Sequence, residues 1–222
     1  KNLVNTVKKA DDSQTKVLAG YEYDSAINPD NSQSVKKRQE ENYVYIRLEN
    51  LYPGTGVRFR EIVQDTENPS EKILIIDLRN NNSGISDEAN IILDTLLGEC
   101  TPSYRIERDG YVNIYSSDKW HTPFRKIGIL VNENTASSAE LLTLGLKTFA
   151  ENVTIIGRKT AGKGAGQVIY IDRTRKFAVL LTNHYWNVLQ NNIEGKGIDP
   201  DIYVDENDPD YSKAIEKFTE EK

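Results

Sequence analysis

Apolar residues recur along this chain with two different periods. Residues 72–78, Lys-Ile-Leu-Ile-Ile-Asp-Leu, are nearly all apolar and β-branched. A strand with no polar side is usually buried on both faces, under helices. Tyr43–Leu48 alternates and reads as a strand. Lys126–Val131, Val153–Gly157 and residues 111–115 read as further strands. Between them the period changes. Ala89, Ile92, Leu93 and Leu96 fall on one helical face, as do Ala139, Leu142, Leu146 and Phe149. Ser86 is placed to cap the first of these helices and Gly98 to end it. Residues 168–171 and 177–181 flank a polar turn at 172–176 and form a hairpin. Asp208-Pro209 opens a last amphipathic helix with Tyr211, Ala214, Ile215 and Phe218 on one side. Strands alternating with helices give an α/β fold with a mostly parallel sheet flanked by helices.

Residues 1–42 lack this order. Residues 17–23, Val-Leu-Ala-Gly-Tyr-Glu-Tyr, predict one strand, and residues 28–32, Asn-Pro-Asp-Asn-Ser, a turn. This part is expected to be an arm on the core or a remnant of an upstream domain, with the core occupying 43–222. A start at Lys1 and the absence of Met lead to the expectation of a mature or trimmed product without a signal peptide.

Charge and composition remove several classes. A net charge of -6 argues against a nucleic-acid partner, which would call for a basic face. Lys36-Lys37-Arg38 is followed at once by Glu40-Glu41 and reads as solvated surface. No apolar run approaches the roughly 18 to 20 residues of a membrane span. The single Cys100 excludes an internal disulfide and a cysteine metal cluster, and is expected to be a small buried side chain. Neither cysteine content nor charge fixes the compartment; the expectation is an extracytoplasmic one, in a bacterial cell envelope or secreted. Nothing in the sequence specifies an oligomeric state.

The chemistry concentrates in two segments. Residues 132–140, Asn-Glu-Asn-Thr-Ala-Ser-Ser-Ala-Glu, place Ser137 at the start of a helix. A serine hydroxyl must lose its proton to a base before it attacks. The only histidines, His121 and His184, lie in a loop-like segment and near a strand end, and both read as structural or surface residues. Lys163, held among Gly162, Gly164 and Gly166, can act as base if burial destabilises its ammonium. Each residue also has a plain reading. Ser137-Ser138-Ala139-Glu140 is a capping box, and Lys163 fits a turn. A third segment runs from the buried strand at Asp77 through Arg79 and Asn80 to Ser83 and Gly84. It lies where α/β folds place their sites, though a plain strand-to-helix turn fits equally.

Taken in order, these segments resemble the S41 peptidases, the C-terminal processing or tail-specific proteases. Asp77 to Gly84 is similar to the family's Asp-Leu-Arg-Asn-Asn-Pro-Gly-Gly. Thr135 to Glu140 is similar to its Thr/Ser-Ala-Ser-x-x-Glu, and Gly162 to Gln167 to its Gly-Lys-Gly-x-x-Gln. Gly195-Lys196-Gly197-Ile198-Asp199-Pro200-Asp201 is similar to its Gly-x-Gly-Ile-x-Pro-Asp. The resemblance implies a crotonase/Clp-like core of stacked ββα units and peptide hydrolysis by a Ser-Lys dyad through an acyl-enzyme. It implies Ser137 as nucleophile, Lys163 as base and Gln167 as the residue that orients Lys163. It implies an oxyanion hole from the amide of Ser138 with one from Ser83 or Gly84. A protein or peptide is then the substrate, and no metal or cofactor is called for. The chain departs from the pattern in three ways. Asn82-Ser83-Gly84 replaces Pro-Gly-Gly, Ala161 replaces an aromatic residue, and no PDZ domain is recognised in the 42-residue leader.

Three other readings compete. Residues 157–164 fit Gly-x-x-x-x-Gly-Lys, but position 164 is Gly where a P-loop needs Ser or Thr. Ser13-Gln14-Thr15-Lys16 has the Ser-x-x-Lys spacing of penicillin-recognising enzymes, without Ser-Asp-Asn or Lys-Thr-Gly partners. Finally, the altered oxyanion segment is compatible with a catalytically impaired module that binds peptides without cleaving them.

Overall fold

A computed structural model describes residues 12, 14–28 and 34–220. Residues 29–32 of the expected turn and Ser13 of the Ser-x-x-Lys segment lie outside the described residues.

The apolar runs assemble one six-stranded sheet. Its order is β11-β8-β7-β4-β3-β2, with β2 Val35–Gln39, β3 Tyr43–Leu48, β4 Ile73–Asp77, β7 Lys126–Val131, β8 Val153–Gly157 and β11 Ile202–Tyr203. Every pairing is parallel except β2 with β3. β4 is buried at all five positions because both faces are covered. On one side Val44, Ile46, Leu74, Ile76 and Ile129 pack on α2 (Thr55–Gln64), α3 (Ser86–Leu96) and α4 (Ser138–Phe149). On the other, Ile73, Ile75, Leu130 and Ile156 meet Tyr211 and Phe218, just before and within α5 (Ser212–Glu220).

A second, antiparallel sheet is built on β10 (Phe177–Asn187). The strand pairs with β1 (Lys16–Ala19), β9 (Ala165–Asp172) and β5 (Cys100–Glu107), and β5 pairs in turn with β6 (Val112–Ser117). The expected hairpin is therefore present, with both strands longer than their apolar stretches.

Several local expectations are corrected. Residues 17–23 are not one strand. Gly20, at φ 60°, turns the chain from β1 into the helix α1 (Tyr21–Ile27), whose Tyr23 packs on Leu18 and Ala178. Ser86 is the first residue of α3, not its cap; Ile85 holds the cap position in extended conformation. The last helix begins at Ser212, but Asp208 does cap it, accepting from the amides of Lys213 (3.2 Å) and Ala214 (3.0 Å). Lys36-Lys37-Arg38, by contrast, is exposed as expected, and it lies in strand β2, an edge whose charged residues guard its open side. Cys100 is only half-buried, with Sγ 3.1 Å from Ser117 Oγ.

Candidate active site

The site forms where the C-terminal ends of β4 and β7 hand over to loops. Asp77 closes β4 and anchors the first loop. Its fully buried carboxylate accepts from Arg79 Nε (2.9 Å) and Nη2 (2.7 Å), Arg47 Nη1 (3.2 Å) and the Tyr45 hydroxyl. Burial pushes the Asp77 pKa up. The hydrogen bonds and charge of Arg79, with the Tyr45 hydroxyl, outweigh it and leave the carboxyl below its ordinary value. A carboxyl whose pKa is lowered by folding stabilises the native state above the ordinary carboxylate pKa, about 3.9. That contribution is lost as pH falls through the lowered value. Urea unfolding of Asp77→Asn between pH 7 and pH 2 should therefore show lower stability at neutral pH and a shallower acid slope than the parent.

The loop after β4 is stitched to the nucleophile segment by main-chain contacts. The Ala136 amide donates to the Asn81 carbonyl (2.9 Å), and the Thr135 hydroxyl donates to the Leu78 carbonyl (2.9 Å). Asn81 is itself buried, with Nδ2 on the Leu48 carbonyl (2.9 Å). Leu51 brackets the far end of the loop. Its amide donates to the Ser83 carbonyl and its carbonyl accepts from the Ile85 amide, both at 2.9 Å. Gly84 sits between them at φ 146°, where a Cβ would meet Leu51 at 2.5 Å. The position that demands glycine is thus the one that keeps it. Ser83 has no positive φ, so a side chain there brings no left-handed strain. The amides of Ser83, Gly84 and Ser138 donate to no acceptor among the described residues.

Ser137 occupies the turn from β7 into α4 with φ 59° and ψ −122°. That region costs a non-glycine residue roughly 1–3 kcal/mol, and such strain gathers at functional sites. Ser137 and Glu140 are arranged as a capping box, yet the Ser137 hydroxyl makes no cap hydrogen bond of ordinary geometry. The Glu140 amide bonds instead to the Ser137 carbonyl at 2.9 Å.

Glu140 does more than cap. Its side chain is fully buried, and each oxygen accepts twice. Oε2 takes the amides of Ser137 (2.9 Å) and Lys163 (2.8 Å). Oε1 takes the amide of Gly162 (2.8 Å) and the Thr160 hydroxyl. One carboxylate therefore joins the serine turn to the lysine loop. The sequence announced Glu140 as a capping residue only.

Lys163 is half-buried, and loss of hydration holds its pKa below the ordinary lysine value. Glu194 and Glu140 oppose that shift, while Lys16 adds to it. Nζ donates to Gln167 Oε1 at 3.4 Å. Among the described residues no hydrogen bond joins Ser137 Oγ to Lys163 Nζ; the segments that carry them are brought together through Glu140. Catalytic contacts of this kind are often long without substrate. Lys163 is followed by strand β9, so no helix N-terminus faces it as a P-loop would require. The Gly195–Asp201 signature packs on the same loop: Gly195 N donates to Gly162 O (2.8 Å) and Ile198 N to the Thr160 hydroxyl (2.8 Å). His184 is buried against Gly166 and His121 is exposed; neither bonds to Ser137.

Comparison with known proteins identifies the family of this chain. Residues 42–204 match Peptidase family S41. A carboxyl-terminal-processing protease of Synechocystis sp. is 26% identical over 181 residues, covering 82% of this chain and 42% of that protein. A probable CtpA-like serine protease of Staphylococcus aureus is 30% identical over 186 residues, covering 78% of this chain and 35% of that protein. The chain thus spans less than half the length of these relatives. Among solved structures, a photosystem II D1 C-terminal processing protease superposes with a TM-score of 0.63 at 25% identity, over 73% of this chain and 42% of that one. A lipoprotein from Streptococcus agalactiae shares the fold with a TM-score of 0.71 at 19% identity, over 93% of this chain and 77% of that one.

Proposed function

Because the chain belongs to peptidase family S41, a family of serine-type peptidases, we propose that it is a serine endopeptidase that cuts peptide bonds near protein C-termini through a Ser137–Lys163 dyad. The observation that carries this is the shared carboxylate: Glu140 binds the amides of both Ser137 and Lys163. In this reading residues 43–222 are the peptidase core, of the crotonase/Clp-like ββα kind, and residues 1–42 an arm upon it. The substrate is a protein or peptide, with no nucleic acid and no cofactor involved, and the setting is extracytoplasmic.

The neutral amine of Lys163 takes the Ser137 proton as Oγ attacks the scissile carbonyl. The developing oxyanion lies at the start of α4, where the Ser138 amide and the helix dipole favour negative charge. An amide from the Ser83–Gly84 turn supplies the second donor. The lysine ammonium then protonates the leaving amine. Water, deprotonated by the same lysine, hydrolyses the acyl-enzyme and restores Ser137. Gln167 keeps Lys163 in place through Oε1.

A fluorophosphonate tests this directly, because it phosphonylates an activated serine. The intact chain should be labelled at Ser137, as read by peptide mass, and Ser137→Ala should not. Only the neutral amine is a base, so the labelling rate should rise with pH and reach half its plateau below the ordinary lysine pKa of 10.5. An intact, folded chain that takes no label would favour a module that binds without cutting.

A further inference from the structure

Gln167 is held at both ends of its amide. Oε1 accepts from Lys163 Nζ (3.4 Å), and Nε2 donates to the main-chain carbonyl of Gln14 (2.6 Å). A carbonyl can only accept, so this second contact decides which end of the amide faces Lys163. The opposite orientation would turn Nε2–H onto the lysine lone pair and occupy the electrons that must receive the serine proton.

The Gln14 carbonyl is fixed in turn. The Asp12 carboxylate accepts from the amides of Gln14 (3.0 Å) and Thr15 (2.8 Å). It also takes the hydroxyls of Thr15 and Thr182 (the latter at 3.0 Å). The Thr182 amide donates back to the Thr15 hydroxyl (3.0 Å), and Thr15 is 1% exposed. Thr182 lies directly opposite Gln167 in the β9–β10 ladder, which shifts register just beyond it. The turn is therefore clamped to the strand that faces Gln167, and β1 continues that attachment along β10. Asp12, Gln14 and Thr15 all precede residues 42–204, the stretch that matches the family.

We infer that the turn held by Asp12, Gln14 and Thr15 is a positioning element of the active site: through the Gln14 carbonyl it sets the Gln167 amide so that Oε1 faces Lys163. Asp12 and Thr15 are the positioning residues. The inference rests on the Ser137–Lys163 reading above.

Fluorophosphonate labelling of the full chain at one alkaline pH separates the two. Asp12→Ala and Thr15→Val should each slow labelling by up to roughly 10²-fold, the scale of a catalytic group misplaced by about 1 Å. Thr15→Ser, which keeps the hydroxyl, should restore the parent rate. In a Gln167→Ala background, Asp12→Ala should slow labelling no further, because the turn acts through Gln167. Should Asp12→Ala fail to fold, Thr15→Val in the same background carries that comparison. Labelling that needs Lys163 but proceeds at the parent rate in Thr15→Val overturns the positioning role alone. So does an equal loss from the turn variant with and without Gln167. Labelling that does not need Lys163 overturns both readings.

Discussion

Lys163→Ala is expected to reduce fluorophosphonate labelling of Ser137, and hydrolysis of an unfolded protein such as casein, by roughly 10²–10⁴-fold, the range that general-base catalysis supplies. The fold should survive. The Lys163 contacts that build the loop are made by its main chain, whose amide donates to Glu140, and alanine keeps that amide. Among the described residues the side chain has one hydrogen bond, to Gln167 at 3.4 Å, and it is half-buried. Far-UV circular dichroism and a melting curve close to the parent's should therefore accompany the loss of activity. The neighbouring charges make the expectation sharper. A buried ammonium is costly, and Glu194 and Glu140 only partly offset that cost, so the native site holds the Lys163 pKa below the ordinary lysine value and makes the neutral amine easier to reach. Lys163→Arg should be as inactive as Lys163→Ala, since a guanidinium stays protonated at any workable pH. Full activity in either variant would remove the lysine from the mechanism and return it to the turn reading.

The parts of the fold that were legible are those where burial writes itself into local sequence. β4, β7 and β8 are almost wholly buried, and each reads as a mostly apolar run, broken only by Asp77 at the end of β4, Lys126 at the start of β7 and Thr154 within β8. β2 and β5 were not legible, for different reasons. β2 is an edge strand with almost every side chain in solvent, so its residues carry no apolar period. β5 contains Thr, Pro and Ser, and its pairing with β6 shifts register between Cys100 and Ser103, which breaks the alternation. The site shows the same division. Ser137 and Glu140 are three residues apart, so the sequence displayed their capping relation. The reach of Glu140 to Lys163 spans 23 residues and depends on how β7 and β8 lie side by side. The clamp from Asp12 to Thr182 spans 170 residues, and no local pattern records it.

Glu140→Ala should then cost both stability and activity, and more of each than loss of a helix cap. A capping side chain contributes about 0.5–2 kcal/mol. Removing this one leaves the amides of Ser137, Gly162 and Lys163 and the Thr160 hydroxyl without their acceptor, at a place closed to solvent. Each buried donor left unpaired costs about 1–3 kcal/mol. Partial collapse and water entry keep the sum below simple addition, so a loss of about 3–5 kcal/mol is expected, comparable with breaking a buried ionic contact. In a chain of this size that lowers Tm by on the order of 10 °C. Glu140→Gln is the more telling variant. It retains one carbonyl acceptor but turns an NH₂ group toward two donors, so stability should fall between the parent and Glu140→Ala. It also removes a negative charge that favours the lysine ammonium, so the midpoint of the labelling-versus-pH curve should move to lower pH. The maximal rate should drop at the same time, because the serine turn and the lysine loop no longer share a fixed anchor. A Gln variant within 1 kcal/mol of the parent by urea unfolding, with its pH midpoint unmoved, would make Glu140 a helix cap and nothing more.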